Sequence, residues 1–305
     1  MSIGPRARGF AVCCLTYLAA LGAALAAGWS VAGQHPLVVV GVGDLAATAV
    51  VFCASVLFDN SSLYDPYWSV APLFIAPCFW LPEPGGLRAG VVLVLVALWG
   101  LRLTHNWARG WRGLSHEDWR YVQIRQRTGR AYWPASFLGI HLMPTIVVFL
   151  GCMPLLPAVA AGSVASWLDG VALIVTAMAI WIEATADRQL RRFVLQGHTA
   201  GAVLETGLWA YSRHPNYFGE ILFWWGLYLF GLAADPARWW TGVGALAITL
   251  LFLLISLPLI ERRMLERRPT YREARRRRSL LVPWIPLSHP GAPHRGARTG
   301  IPRRS

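Results

Sequence analysis

Residues 212–220 read Ser-Arg-His-Pro-Asn-Tyr-Phe-Gly-Glu, the densest set of chemically useful side chains in the sequence. Pro215 suits the first turn of a helix, where its missing N–H has no partner to lose and its fixed φ is already helical. A helix starting there presents free backbone N–H groups and the positive end of its dipole, which attract anions. Arg213 and His214 stand just before that end. Asn216 and Glu220 are four residues apart and share a helix face, with Tyr217 and Trp224 offset beside them. Glu220 falls one turn inside an apolar run, where an acid is costly and marks function by default. The plainer alternative is a structural pairing with Arg213 or Arg191.

Three other stretches add to this set. Asp59-Asn60-Ser61-Ser62-Leu63-Tyr64-Asp65-Pro66-Tyr67-Trp68 crowds acids, hydroxyls and phenols into a short connection. Asp-Asn and Asp-Pro form ordinary polar turns. Alternatively, Asp65 or Tyr64 faces a pocket entered from the bilayer, where a partly buried carboxylic acid keeps its proton and donates to a carbonyl. Glu183, Asp187 and Arg191 fall on one helical stripe, with Arg188 beside Arg191. This pattern fits interfacial ion pairs, or a cationic clamp for phosphates, which arginine grips through paired hydrogen bonds. Glu261-Arg262-Arg263 opens a basic tail that attracts anionic lipid, and Glu261 at the membrane edge is within reach of the same site. Asp44, inside the second apolar run, is a buried structural acid or part of a polar pocket. Arg102, His105 and Asn106 fit snorkelling, with His105 as a cleft candidate; His141 fits a satisfied core histidine.

The elements that must position these groups are membrane helices. Of 305 residues, 55% are hydrophobic and 14% charged, against roughly 45–50% and 25% in soluble domains. Sixteen tryptophans suit membrane interfaces. The net charge of +13 comes from arginine alone; with no lysine, Schiff-base chemistry and lysine-dependent phosphate loops are excluded. The arginines flank apolar runs, so membrane topology explains them better than nucleic acid. Five cysteines form no CxxC pair, and no metal site is expected. Runs near the 20 residues that cross a bilayer fall at 10–32, 37–58, 66–82, 89–108, 135–156, 164–184, 216–234 and 239–260. The third is short and proline-rich, so the spans number eight, or seven if it re-enters. With cytosolic termini, the outer connections hold only Arg88 and Arg238, a strong positive-inside bias. The expectation is an all-α polytopic bundle, multi-pass in a membrane (the inner membrane if bacterial), whose motif-bearing segments share the cytosolic face.

The chain resembles the membrane proteins grouped as a domain of unknown function, DUF1295, which are related to steroid 5-alpha-reductases. The resemblance rests on Asn60 to Ser69, on Ser212 to Glu220 with Trp224-Trp225-Gly226, and on Glu261-Arg262-Arg263, across roughly 37–286. The Arg-His-Pro-Asn-Tyr core is shared with isoprenylcysteine carboxyl methyltransferases. The division is then a first span over 1–36, a reductase-like domain over 37–286 and a disordered basic tail over 287–305. The resemblance implies NADPH entering from the cytosol and a lipophilic substrate from the bilayer. Arg188, Arg191, Arg213, His214, Asn216, Tyr217, Glu220 and Glu261 would hold the cofactor, with Asn216 and Glu220 at its nicotinamide half. Asn60, Trp68 and His105 would line the substrate, and Asp65, where the steroid enzymes carry a glutamate, would act on it with Tyr64 and Glu220. One departure is Leu103, which stands where those enzymes place a tyrosine; it bears on the steroid substrate more than on reduction. The leading expectation is an NADPH-dependent reductase of an activated C=C bond. The alternatives are an S-adenosylmethionine-dependent methyltransferase and a non-enzymatic membrane protein. The expected contacts are a lipophilic small molecule and membrane lipids, without nucleic acid; the sequence fixes no oligomeric state.

Overall fold

The structure, a computed structural model, describes residues 4–160, 164–197, 201–268 and 270–285. The segments expected as a disordered tail, 287–305, lie outside the described residues. Within them the chain is helical, without a β-strand; two isolated bridges, Pro84 with Ala160 and Ser212 with Ser279, are the sole strand-like pairings. Seven helices are long and apolar enough to cross a bilayer: α1 (Pro5–Ser30), α2 (Pro36–Leu57), α4 (Leu87–Gly110), α5 (Trp119–Cys152), α6 (Trp167–Leu195), α7 (Pro215–Ala234) and α8 (Pro236–Arg267). The expectation of an all-α, multi-pass bundle holds.

The third apolar run forms α3 (Tyr67–Trp80), 14 residues with Pro72 and Pro77 inside it. At 1.5 Å per residue it extends about 21 Å, short of a hydrocarbon core about 30 Å thick. The fifth helix begins earlier than the apolar run at 135. Its first turns, Trp119–Thr128, are polar and basic, and they end at Gly129, whose positive φ of 52° glycine adopts without strain. A short basic helix, α9 (Tyr271–Arg277), follows α8. Helix starts follow local chemistry. Pro5, Pro36, Pro215 and Pro236 open α1, α2, α7 and α8, and Ser166 and Asp169 form a capping box at the start of α6.

Small residues decide how close the helices come, as packing in lipid requires. A side chain at Gly219 would meet the Ala179 carbonyl at 2.9 Å and Glu183 Cβ at 2.8 Å. At Gly226 it would meet Thr176 Oγ1 at 2.2 Å. These two glycines let α7 lie against α6, and the first sets Glu183 beside Glu220. Trp99 of α4 stacks on Phe223 of α7 with centroids 4.4 Å apart. Both arginines assigned to the outer connections are neutralised: Arg88 pairs with Asp169 at 2.6 Å and Arg238 with Asp235 at 3.0 Å.

Candidate functional site

Glu220 is buried and held by three tryptophans. The indole N–H groups of Trp68 on α3 and Trp224 on α7 donate to Oε1 at 2.7 and 3.0 Å. That of Trp99 on α4 donates to Oε2 at 3.0 Å. A carboxylate offers about four acceptor positions; three are taken here, which leaves room for one more donor. Next to it, Arg102 of α4 pairs with Glu183 at 2.6 Å and Asp187 at 2.9 Å, both on α6. Asn106, one turn beyond Arg102, donates to Asp187 at 2.9 Å. Glu220 lies within electrostatic reach of Arg102, Glu183 and Asp187. One guanidinium therefore serves two carboxylates, Glu183 buried and Asp187 part-exposed.

One turn toward the start of α7 lies a second polar region. A cavity of about 190 Å³ is lined by Arg213, His214, Asn216, Tyr217, Arg268, Tyr271 and Arg278 over an apolar floor. Its organiser is Glu261 on α8. Glu261 takes His214 Nε2 at 2.8 Å and Arg213 at 3.0 Å, and it also accepts from the Tyr271 hydroxyl. Burial and the facing carboxylate push the Tyr271 phenol above its ordinary range. The C-terminal segment straps this region down. Arg278 donates to the Leu204 and Trp209 carbonyls at 2.9 and 2.6 Å. Ser212 Oγ donates to Leu281 O at 2.7 Å, and Arg213 N to Ser279 O at 3.0 Å. Asn216 Oδ1, Arg213 Nε and Arg191 Nε are buried without a hydrogen-bond partner. Those of Arg213 and Asn216, next to the N–H groups the start of α7 leaves unpaired, fit a bound group with anionic oxygens and at least one donor.

Asp65 lies three residues before Trp68, whose indole reaches Glu220. Asp65 accepts from Tyr121 OH at 2.7 Å, at the start of α5. Burial outweighs that bond and the nearby Arg120, and raises its carboxyl to about 7. The turn before it is pinned to the chain leading into α5: Asp118 N donates to Ser62 Oγ at 2.8 Å and Ser61 N to Glu117 Oε1 at 2.9 Å. Tyr217 lies within electrostatic reach of Arg120 and Asp118 as well as Asp187 and Glu220.

The expected residues divide accordingly. Trp68, Glu220, Arg213, His214, Asn216, Tyr217 and Glu261 come together. Asn60 is consumed structurally: its Oδ1 caps the turn at Ser62 N, 2.8 Å, and its Nδ2 donates to the Leu114 and His116 carbonyls. Tyr64 turns from Asp65 into the bundle, bonded to Thr145 Oγ1 at 2.7 Å and stacked on Tyr67. His105 is exposed, because it projects from α4 away from the face shared by Arg102 and Asn106. Arg188 is exposed and bonds Thr185 at 3.1 Å. The sequence sets Trp224 beside Glu220 and reads Glu183 and Asp187 as interfacial ion pairs; it does not show that Arg102 and Asn106 are their partners or that the Trp99 indole joins Trp224 on Glu220. The spacing of Arg102 and Asn106 against that of Glu183 and Asp187, four residues in each helix, is the signal that marks the ion cluster. Among the described residues no group of His, Cys, Asp and Glu is arranged to hold a metal.

A family model described as "Protein of unknown function (DUF1295)" matches residues 51–278. The chain is also similar to Uncharacterized protein C594.04c of Schizosaccharomyces pombe, with 28% identity over 268 residues, 79% of this chain and 77% of that one. No solved structure matches it.

Proposed function

Because the chain belongs to the DUF1295 family, and the matched residues 51–278 hold the whole site, we propose that it is a membrane-embedded NADPH-dependent reductase of an activated C=C bond in a lipophilic substrate. The observation that carries this reading is the division of α7. Its first turn borders a cavity with three arginines, Arg213, Arg268 and Arg278, while one turn deeper Glu220 is buried among three indoles. A cofactor with a polyanionic half and a neutral aromatic half matches that sequence of environments. Arg213, Arg191 and the α7 N-terminus would hold phosphate oxygens. Asn216 Oδ1 and the remaining acceptor position of Glu220 would take the carboxamide N–H groups. Bound there, NADPH would supply a hydride. The protein's part is to orient the reactants and exclude water. Protonated Asp65, with Tyr121 behind it, would donate a hydrogen bond to the substrate carbonyl.

The test is a cofactor titration of the purified chain in lipid nanodiscs. Saturable NADPH binding that weakens at least tenfold in Arg213→Ala supports the reading. Saturable binding of S-adenosylmethionine in its place would move the site to methyl transfer, and binding of neither would leave the acidic cluster a structural device.

A further inference from the structure

A second cavity, of about 280 Å³, lies between α1, α2 and α3. It shares no lining residue with the cavity at the start of α7. It runs along α3 from Tyr67 to Cys78 and is bordered by the second half of α1 and the turn after it, Tyr17 to Ala32, and the first half of α2, Val39 to Ala47. Its shape follows from the packing. α1 is locked onto α2, where a side chain at Gly43 would meet the Ala24 carbonyl at 2.9 Å. α3, which carries Pro72 and Pro77 inside it, packs against α4, and the cavity lies on the side of it that faces α1.

The walls are apolar except at one point. Tyr17 OH is spent on the Leu63 carbonyl at 3.1 Å, and Tyr67 OH on Asp44 Oδ1 at 2.6 Å. Asp44 is only 7% exposed, and its Oδ2 has no hydrogen-bond partner. An unpaired carboxyl oxygen among hydrocarbon costs several kcal/mol, by order of magnitude, unless something satisfies it. A hydroxyl complements this atom in either protonation state: it donates to a carboxylate or accepts from a carboxylic acid. Leu25, Trp29 and Phe74 on the rim are exposed, which opens the cavity sideways to lipid. Residues 17–47 also precede the family-matched region, which begins at 51, so most of this wall is not part of the shared domain.

We propose that this cavity binds a membrane alcohol, a hydrocarbon body bearing one hydroxyl, with the hydroxyl on the Asp44 carboxyl. The test uses the full chain in nanodiscs, with radiolabelled 1-dodecanol and n-tridecane, which differ by a methyl in place of the hydroxyl. The protein should retain the alcohol about tenfold better than the alkane, relative to empty nanodiscs, as one buried hydrogen bond allows. Asp44→Ala should lose that preference, and Asp44→Asn, which still donates and accepts, should keep most of it. Val40→Trp, which fills the cavity without altering Asp44, should lower retention of both ligands; it decides the matter where Asp44→Ala does not fold. Equal retention of alcohol and alkane would make the cavity a plain acyl-chain groove and overturn the proposal. An unchanged preference in Asp44→Ala, or undiminished retention in Val40→Trp, would do the same.

Discussion

Trp68, in the first turn of α3, donates its indole N–H to Glu220 of α7 across 2.7 Å, a contact spanning 152 residues of sequence. With Trp99 and Trp224 it makes the Glu220 carboxylate a knot between three helices. Glu220→Gln places an NH₂ group where an indole N–H now points, leaving a buried donor facing a donor. We expect the thermal midpoint in detergent to fall, by an amount near the 1–3 kcal/mol of an unsatisfied buried group. Tryptophan fluorescence should report loosened indoles at the same time. An unchanged midpoint and spectrum would show that the knot does not hold the helices.

Arg102 is the shared cation of Glu183 and Asp187. Arg102→Ala strands the buried Glu183 and takes the cation from the part-exposed Asp187, and should cost about 3–5 kcal/mol. Adding Glu183→Gln should recover part of that loss, which a double-mutant cycle on thermal or denaturant unfolding would measure. A strictly additive cycle would contradict the pairing.

Asp65 carries a carboxyl raised from 3.8 to about 7 by burial. Its protonated form, the one able to donate to a carbonyl, disappears as pH rises through 7. Reduction should therefore fall with the loss of one proton near pH 7, and Asp65→Asn should flatten that limb of the profile. The same shift lowers stability as pH rises from 3.8 toward 7, because the folded chain holds a proton that the unfolded chain releases; above 7 the effect is constant. A rate that rises through this window would assign Asp65 the role of a base.

Arg188 and Arg191 are adjacent on α6 but differ in setting. Arg188 is exposed, whereas Arg191 is half-buried with Nε unpartnered. Arg191→Ala should weaken NADPH binding about tenfold or more, as loss of a charge-assisted bond implies, and Arg188→Ala by less. Isothermal titration of both variants separates them, and the reverse order would place the phosphates on the outer face of the helix.

Much of this arrangement could be read from spacing. Pro215, Asn216 and Glu220 sit where a helix start and its i, i+4 face require, and the short, proline-bearing third run is α3. Spacing could not show which of several polar neighbours in a turn face inward. Asn60, Tyr64 and Asp65 are nearly consecutive, yet a 3-10 turn over Ser61–Tyr64 sends their side chains in three directions. Nor could it show that tryptophans far apart in sequence satisfy Glu220, since indole N–H donors carry no charge pattern. His105 failed for a geometric reason: one helix step from Asn106 is about 100°, enough to carry a side chain off the shared face.

The triple indole setting of Glu220 also restricts where protons can travel. An indole N–H only donates; it cannot accept a proton and pass another onward. On the three sides they occupy, the tryptophans insulate the carboxylate from any relay. In the reduction proposed above, the proton would then be left to Asp65, which accepts from Tyr121 OH on α5, and Glu220 would serve binding alone.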